Sequence, residues 1–157
     1  MSVRLKIEGA GDIERALEKL SRVAAKGVMR RAMKKALQPV AEAAEASPFP
    51  IAISGTLSPR QRRLARKDRG PNLISLYVGP VQSDGSHAPH AHLYEFGTGP
   101  RYQVKTGKYV GVQMADPFMR PAWDENRDAM LKILRREVWI EIEKTLARAA
   151  RKAAKAG

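Results

Sequence analysis

The last third of the chain places the strongest constraint on the fold. Met130, Leu134, Val138, Ile142 and Leu146 repeat every four residues, and Ile133 and Ala149 share their face, the spacing of an amphipathic helix. Pro121 suits a first helical position, and Asp124 and Glu125 fall where acids favour the positive end of the helix dipole. A helix from Pro121 to about Ala154 is roughly 50 Å long at about 1.5 Å per residue. A domain of 157 residues has a radius of gyration of only about 15 Å, so this helix is expected to outrun the domain that carries it. Trp139 and Ile140 widen its apolar face beyond what one core contact needs. Its end carries Lys144, Arg148, Arg151, Lys152 and Lys155 with no acid, a basic tail over residues 144–157 that either frays or docks elsewhere. Cations near a helix C-terminus also have an ordinary explanation in the dipole.

The rest of the chain alternates between helical and extended signals. Val3, Leu5 and Ile7 alternate with charged residues, as in a half-buried strand. Gly9-Ala10-Gly11 breaks that run, and Asp12 is a plausible N-cap for a helix carrying Ile13, Leu17, Leu20, Ala24 and Val28. Gly27 loosens or splits this helix. It continues through Ala32, Ala36, Leu37, Val40, Ala41 and Ala44, is kinked at Pro39, and ends at Ser47-Pro48-Phe49-Pro50. Residues 51–72 read as loop, with a basic arm at about 58–71 in which Arg60, Arg62, Arg63, Arg66, Lys67 and Arg69 face one acid, Asp68. Ile74, Leu76 and Val78 predict a strand stopped by Gly79-Pro80, and His92 to Phe96 a second, short strand ended by Gly97-Thr98-Gly99-Pro100. Tyr102 to Lys105 and Tyr109 to Met114 predict a hairpin across Thr106-Gly107-Lys108.

Composition bounds the function. Apolar residues make up 43% of the chain, enough for one ordinary core, but aromatics are only 6%, so a modest, alanine-rich core with apolar surface left for partners is expected. There is no cysteine, hence no disulfide framework, thiolate metal site or cysteine nucleophile. The start MSVRLKIEG lacks the apolar segment of a signal peptide, and nowhere do 18 apolar residues run together. A soluble protein assembled in the cytoplasm, away from membranes, is therefore expected. The net charge of +13 suits a polyanion, whether nucleic acid or an acidic protein surface, and equally describes a solvated basic surface.

Signals for catalysis and for ligands are weak. His87, His90 and His92 cluster with Glu95, but the intervening Ala88-Pro89 and Ala91 imply an extended loop, and no second ligand group stands out. Gly97-Thr98-Gly99 lacks the lysine and spacing of a phosphate loop, and a tight turn explains it better. No Gly-x-Ser-x-Gly is present, and carboxylate pairs occur only along helices. A small basic ribonuclease working through His90 or His92 is the one enzymatic reading left open. Neither a cofactor nor an enzymatic activity is expected. Glu95, a carboxylate in so basic a chain, is expected to pair with an arginine such as Arg120 or Arg101, within or between subunits.

Two segments become specific together. Leu93-Tyr94-Glu95-Phe96-Gly97-Thr98 is followed, twenty residues on, by Pro117-Phe118-Met119-Arg120-Pro121-Ala122 and a long helix. This pairing resembles the signature of the HK97 gp10-like family, the neck or tail-completion proteins of tailed bacteriophages. The front half fits as well, with a strand, a long helix ending at Ser47-Pro48, and Ser54-Gly55-Thr56-Leu57 as a variant of the family's linker. The run from Arg60 to Arg69 and the stretch from Arg101 to Ala115 are longer than that pattern.

The resemblance implies a ring of copies, six in number, at the end of the tail tube nearest the capsid. Its neighbours would be a head-closure or connector protein on one side and a tail terminator or tail tube protein on the other, around the path of the DNA. The expected localisation is the virion. Phe118 and Pro121 would anchor the start of the last helix on the sheet, and Gly97 and Gly99 would let the chain turn sharply. The interface expected from these motifs is Tyr94, Glu95, Phe96, Gly97, Thr98, Pro117, Phe118, Arg120 and Pro121, with Trp139. The expected basic contact surface is Arg60, Arg62, Arg63, Arg66, Lys67 and Arg69 with Arg148, Arg151 and Lys152. Acidic protein partners are favoured for it over DNA phosphates, since a conduit that grips DNA obstructs its passage. The fold expected is a single α+β domain over residues 1–157, an antiparallel-leaning sheet on a kinked N-terminal helix and a long C-terminal helix. The alternative is a free-standing basic nucleic-acid-binding protein.

Overall fold

A computed structural model describes residues 10–56 and 73–156. The predicted strand at Val3 to Ile7 and the basic arm from Arg60 to Arg69 lie outside the described residues. The fold is α+β. Helix α1 spans Ala10–Glu18, α2 Arg22–Ala36 and α3 Gln38–Ala43, followed by a 3-10 turn at Ala44–Ala46. Strand β1 (Ile51–Ser54) pairs antiparallel with β2 (Tyr77–Pro80), with Ile53 opposite Val78. Helix α4 spans Ala91–Phe96. Strands β3 (Arg101–Tyr102) and β4 (Tyr109–Gly111) form a separate antiparallel hairpin. Helix α5, Met119–Ala156, has 38 residues, about 57 Å of helix.

The long helix is the spine on which the N-terminal helices pack. In one core cluster Ala36, Leu37, Val40 and Ala44 meet Ala122 and Met130, roofed by Ile51, Ile53 and Val78 of the first sheet and by Leu76 just before β2. In a second, Val28 and Ala32 of α2 meet Val138 and Ile142 of α5, with Ile13 and Leu17 of α1 alongside. Leu134 touches both, so the two clusters form a continuous apolar seam. Alanine at the α2–α5 and α3–α5 contacts lets the helix axes approach closely.

Several boundaries depart from the sequence reading, each for a local reason. The N-terminal helix breaks at Leu20–Ser21 and not at Gly27, because Ser21 caps α2 by accepting from the Ala24 N–H at 3.3 Å. Asp12 lies inside α1, paired with Arg15 at 2.6 Å, and is no N-cap. The kink expected at Pro39 falls at Leu37, with Pro39 in the first turn of α3, where its missing N–H costs no helical bond. Within the stretch read as loop, Ile51 and Ile53 alternate on β1 and find partners in Val78 and Pro80. Residues 73–76 are irregular, and β2 runs on through Gly79-Pro80 instead of stopping there. Pro80 sits at the end of the ladder, after which Val81 donates to the Pro50 carbonyl at 2.8 Å.

The largest correction concerns His92 to Phe96, which is helix α4 and not a strand. Ala91 is buried on its inner side, and Leu93, Tyr94 and Glu95 are all half-buried. That pattern fits a short helix lying on the domain, not alternation across a sheet. Pro121 is the third residue of α5, not the first, since the helix begins at Met119.

Candidate interface and the clasp that positions it

The two sequence motifs meet in space and form a clasp around the start of α5. Helix α4 brings the Glu95 carboxylate to the N-terminus of α5. There Oε2 accepts from the Phe118 N–H at 2.9 Å and the Met119 N–H at 3.0 Å, and Oε1 from the Arg120 N–H at 3.0 Å. Three backbone donors that no helical carbonyl can reach are thus satisfied by one side chain. Burial pushes the Glu95 carboxyl up, but the three N–H groups and the Arg120 charge outweigh it and hold it below the ordinary range. The expected partner of Glu95, an arginine side chain, is therefore corrected: its partners are backbone amides. Arg120 contributes only its charge and its N–H, and Arg101 lies on the hairpin.

Backbone bonds complete the clasp. The Asp116 N–H donates to the Tyr94 carbonyl at 2.7 Å, the Thr98 N–H to the Gln113 carbonyl at 2.8 Å, and the Gln113 N–H to Thr98 Oγ1 at 3.0 Å. Gly97 makes this approach possible. Its φ is +69°, and a Cβ there would lie 2.8 Å from the Ala115 nitrogen and 3.0 Å from the Gln113 oxygen. The Tyr94 ring meets Phe49 edge-on at 5.2 Å, tying α4 to the segment before β1. Phe118 packs against the first core cluster.

Of the residues expected at an interface, Tyr94, Glu95, Gly97, Thr98, Phe118 and Arg120 are thus brought together, chiefly to each other and to the body of the domain. Pro117 and Pro121 flank the clasp on its exposed side. Phe96 is different, being 68% exposed. It adjoins the β3–β4 hairpin, which leaves Tyr102, Val104, Tyr109, Val110, Val112 and Met114 exposed. The Tyr102 and Tyr109 rings meet across the strands at 5.4 Å, tilted by 56°. A cross-strand aromatic pair stiffens a hairpin that makes few other contacts. Trp139, 38% exposed, sits far along α5 and does not join this group. Arg148, Arg151 and Lys152 lie on the exposed end of α5.

One feature of the structure was missed in the sequence. Arg31 and Lys35 of α2 face Glu137 and Glu141 of α5: Arg31 pairs with Glu141, and Lys35 reaches Glu137 at 2.7 Å and Glu141 at 3.3 Å. Glu137 is 8% and Glu141 4% exposed. The signal was present as two i,i+4 pairs, basic on one helix and acidic on the other. The Lys35 hydrogen bond holds Glu137 low, the Arg31 hydrogen bond holds Glu141 low, and Glu137 and Glu141 together raise Lys35.

Because the folded state depresses Glu95, Glu137 and Glu141, the unfolded chain binds more protons below about pH 5, and stability falls as pH drops through that range. Lys35 acts in the opposite sense, and its contribution is lost only on alkaline titration above its ordinary value of 10.5. Acid titration followed by circular dichroism is expected to show cooperative loss of helix. An Arg31→Met, Lys35→Met variant, whose buried glutamates keep only Arg136 and Lys144 beside them, is expected to depend less steeply on pH across the same window. An identical profile in both proteins would mean that these pairs carry none of the pH dependence.

An apolar cleft of about 720 Å³ lies between α1, α2 and α5, lined by Ile13, Leu17, Leu20, Met29, Leu134 and Val138, with Glu14, Glu18, Arg22 and Arg135 among its polar lining. Among the described residues no group of three or more His, Cys, Asp or Glu converges to hold a metal ion. His87 bridges to Val81, His90 precedes α4 and His92 is in its first turn. No helix among the described residues is long and apolar enough to cross a membrane. No protein-family model, curated protein or solved structure matches this chain. The family resemblance rests on the paired motifs themselves.

Proposed function

We propose that this chain is a structural subunit of a tailed-phage particle. Identical copies close a ring at the head–tail junction, join tail to head and line the path of the DNA. The observation that carries this reading is the clasp: the two motifs on which the resemblance rests are one physical unit, Glu95 capping α5 while Gly97 admits the Gln113–Ala115 backbone. The clasp also sets the direction of two elements that a lone domain does not need. One is the stiff hairpin with its exposed apolar side chains, and the other is a helix of about 57 Å. Large apolar side chains left exposed together on one hairpin suit a contact with another chain. A patch that meets a different patch on the next copy closes into a ring when the rotation closes.

Light scattering of the purified protein at low and high salt tests the reading. One discrete species several times the 17.4 kDa of the chain is expected, persisting at high salt because the contacts are apolar. A monomer at both salts that binds nucleic acid tightly would favour the free-standing nucleic-acid-binding protein instead.

A further inference from the structure

Beyond Ile142 the long helix changes character on one face. At about 100° per residue, Glu137, Glu141, Lys144, Arg148, Arg151, Lys152 and Lys155 all fall within an arc of roughly 100°. The acidic part of this stripe is buried against α2 by Arg31 and Lys35. The two helices run antiparallel, and the same pairing carried back to Arg22, the first residue of α2, reaches about Ala150 of α5. From there no helix among the described residues lies opposite α5, and the stripe is purely basic. Residues 146–155 are exposed, and none of Arg148, Arg151, Lys152 or Lys155 makes an ion pair among the described residues.

The bland explanation covers only part of this. A helix dipole acts within the last turn, and the one basic residue there is Lys155. Arg148 and Arg151 lie further back. After Glu143 the chain has no acid, and the residues between the cations are Thr145, Leu146 and alanines. Alanine extends an already nucleated helix without tertiary support, so the cations beyond Ala150 are carried on a helix that packs on no other helix among the described residues.

We infer that this stripe binds the phosphate backbone of a DNA duplex without regard to sequence. Four unpaired cations, Arg148, Arg151, Lys152 and Lys155, over about 10 Å of helix match a rod carrying one negative charge per about 1.7 Å, and Lys144, before them, is paired with Glu141. The tail has no Asn or Gln to read adenine edges and no aromatic ring on which unpaired bases would stack. Contacts to phosphate alone also permit sliding, so such a surface can line a conduit without obstructing it. This reverses the sequence-based preference for acidic protein partners at this end of the chain. It stands on the tail alone, whether or not copies close a ring.

Fluorescence anisotropy of the full-length protein on a short labelled duplex, across a salt series, tests it. Each phosphate contact contributes about 0.9 to the slope of log affinity against log salt. Replacing Arg148, Arg151, Lys152 and Lys155 together by Gln is expected to reduce that slope by about 3–4, shrinking the affinity lost between ~50 and ~200 mM salt by about a hundredfold. Glutamine is nearly as good a helix former as lysine or arginine, and circular dichroism checks that the helix is kept. The charge-preserving Arg148→Lys, Arg151→Lys variant is expected to keep the wild-type slope. The run from Arg60 to Arg69 is common to all three proteins, so the difference reports the tail. An unchanged slope in the Gln variant, no duplex binding at low salt, or tighter binding to a single strand of the same length would each overturn the inference.

Discussion

Gly97→Ala is expected to lower the melting temperature by roughly 6–12 °C, the shift that about 3 kcal/mol produces in a chain of this size. Two costs add. At φ +69° and ψ −178° Gly97 occupies a region that is essentially reserved for glycine, at about 1–3 kcal/mol for any other residue. The new Cβ would also lie 2.8 Å from one backbone atom and 3.0 Å from another. Backbone cannot rotate aside as a side chain does, so α4 and the Gln113–Ala115 strap must separate, loosening the Thr98–Gln113 bonds. The matched control is Gly107→Ala in the hairpin turn. Its φ is +64° but nothing lies within 4 Å of the new Cβ, so only the conformational cost of about 1 kcal/mol applies. Calorimetry of both variants separates the close approach from the backbone preference. Equal shifts would mean that the clasp is not tightly closed.

Glu95→Lys is expected to destabilise the fold by about 3 kcal/mol, since hydrogen bonds to a charged group contribute about 1.5–3 kcal/mol each and the substitution adds a cation at the positive end of a helix dipole. The loss is below the sum of three such bonds because water can reach the half-buried site. Glu95→Gln keeps one acceptor oxygen and the shape, and is expected to cost about 1 kcal/mol. Urea denaturation midpoints should therefore fall in the order wild type, Gln, Lys, with unchanged slopes. Because the same carboxylate aligns α4, and with it Phe96 and the hairpin, Glu95→Lys is also expected to impair assembly under conditions where the fold survives. A Lys variant as stable as wild type would show that α5 needs no cap from α4.

Legibility in the sequence followed how local each determinant is. The long helix was readable because its apolar period repeats over five turns, from Met130 to Leu146. The helix ending at Ser47-Pro48 and the Tyr102–Tyr109 hairpin were readable for similar reasons. Helix α4 is not legible as a helix because the seven residues between Pro89 and Gly97 are too few to establish a period. Their Glu95 meets its partners 23 to 25 residues away, in the backbone N–H groups at the start of α5. Glu95 stood out correctly as a carboxylate in need of a partner, but its partners are backbone amides, which no residue pattern displays. For the same reason Gly97 read as an ordinary turn, since the strap that crowds it is visible only in three dimensions. The Arg31–Glu141 and Lys35–Glu137 pairs are written in the spacing of two helices, but which helix faces which depends on the cluster of Val28, Ala32, Val138 and Ile142. Among the described residues the strands form two two-stranded antiparallel ladders, with α4 between them in the chain.

The most direct test of the central claim is electron microscopy of the purified protein, read as class averages of single particles. Closed rings of identical subunits around an opening wide enough for a DNA duplex are expected, with Glu95→Lys yielding few or none. Open filaments, or isolated subunits at every concentration and salt, would contradict the account, because copies whose contacts do not close cannot form a conduit between head and tail.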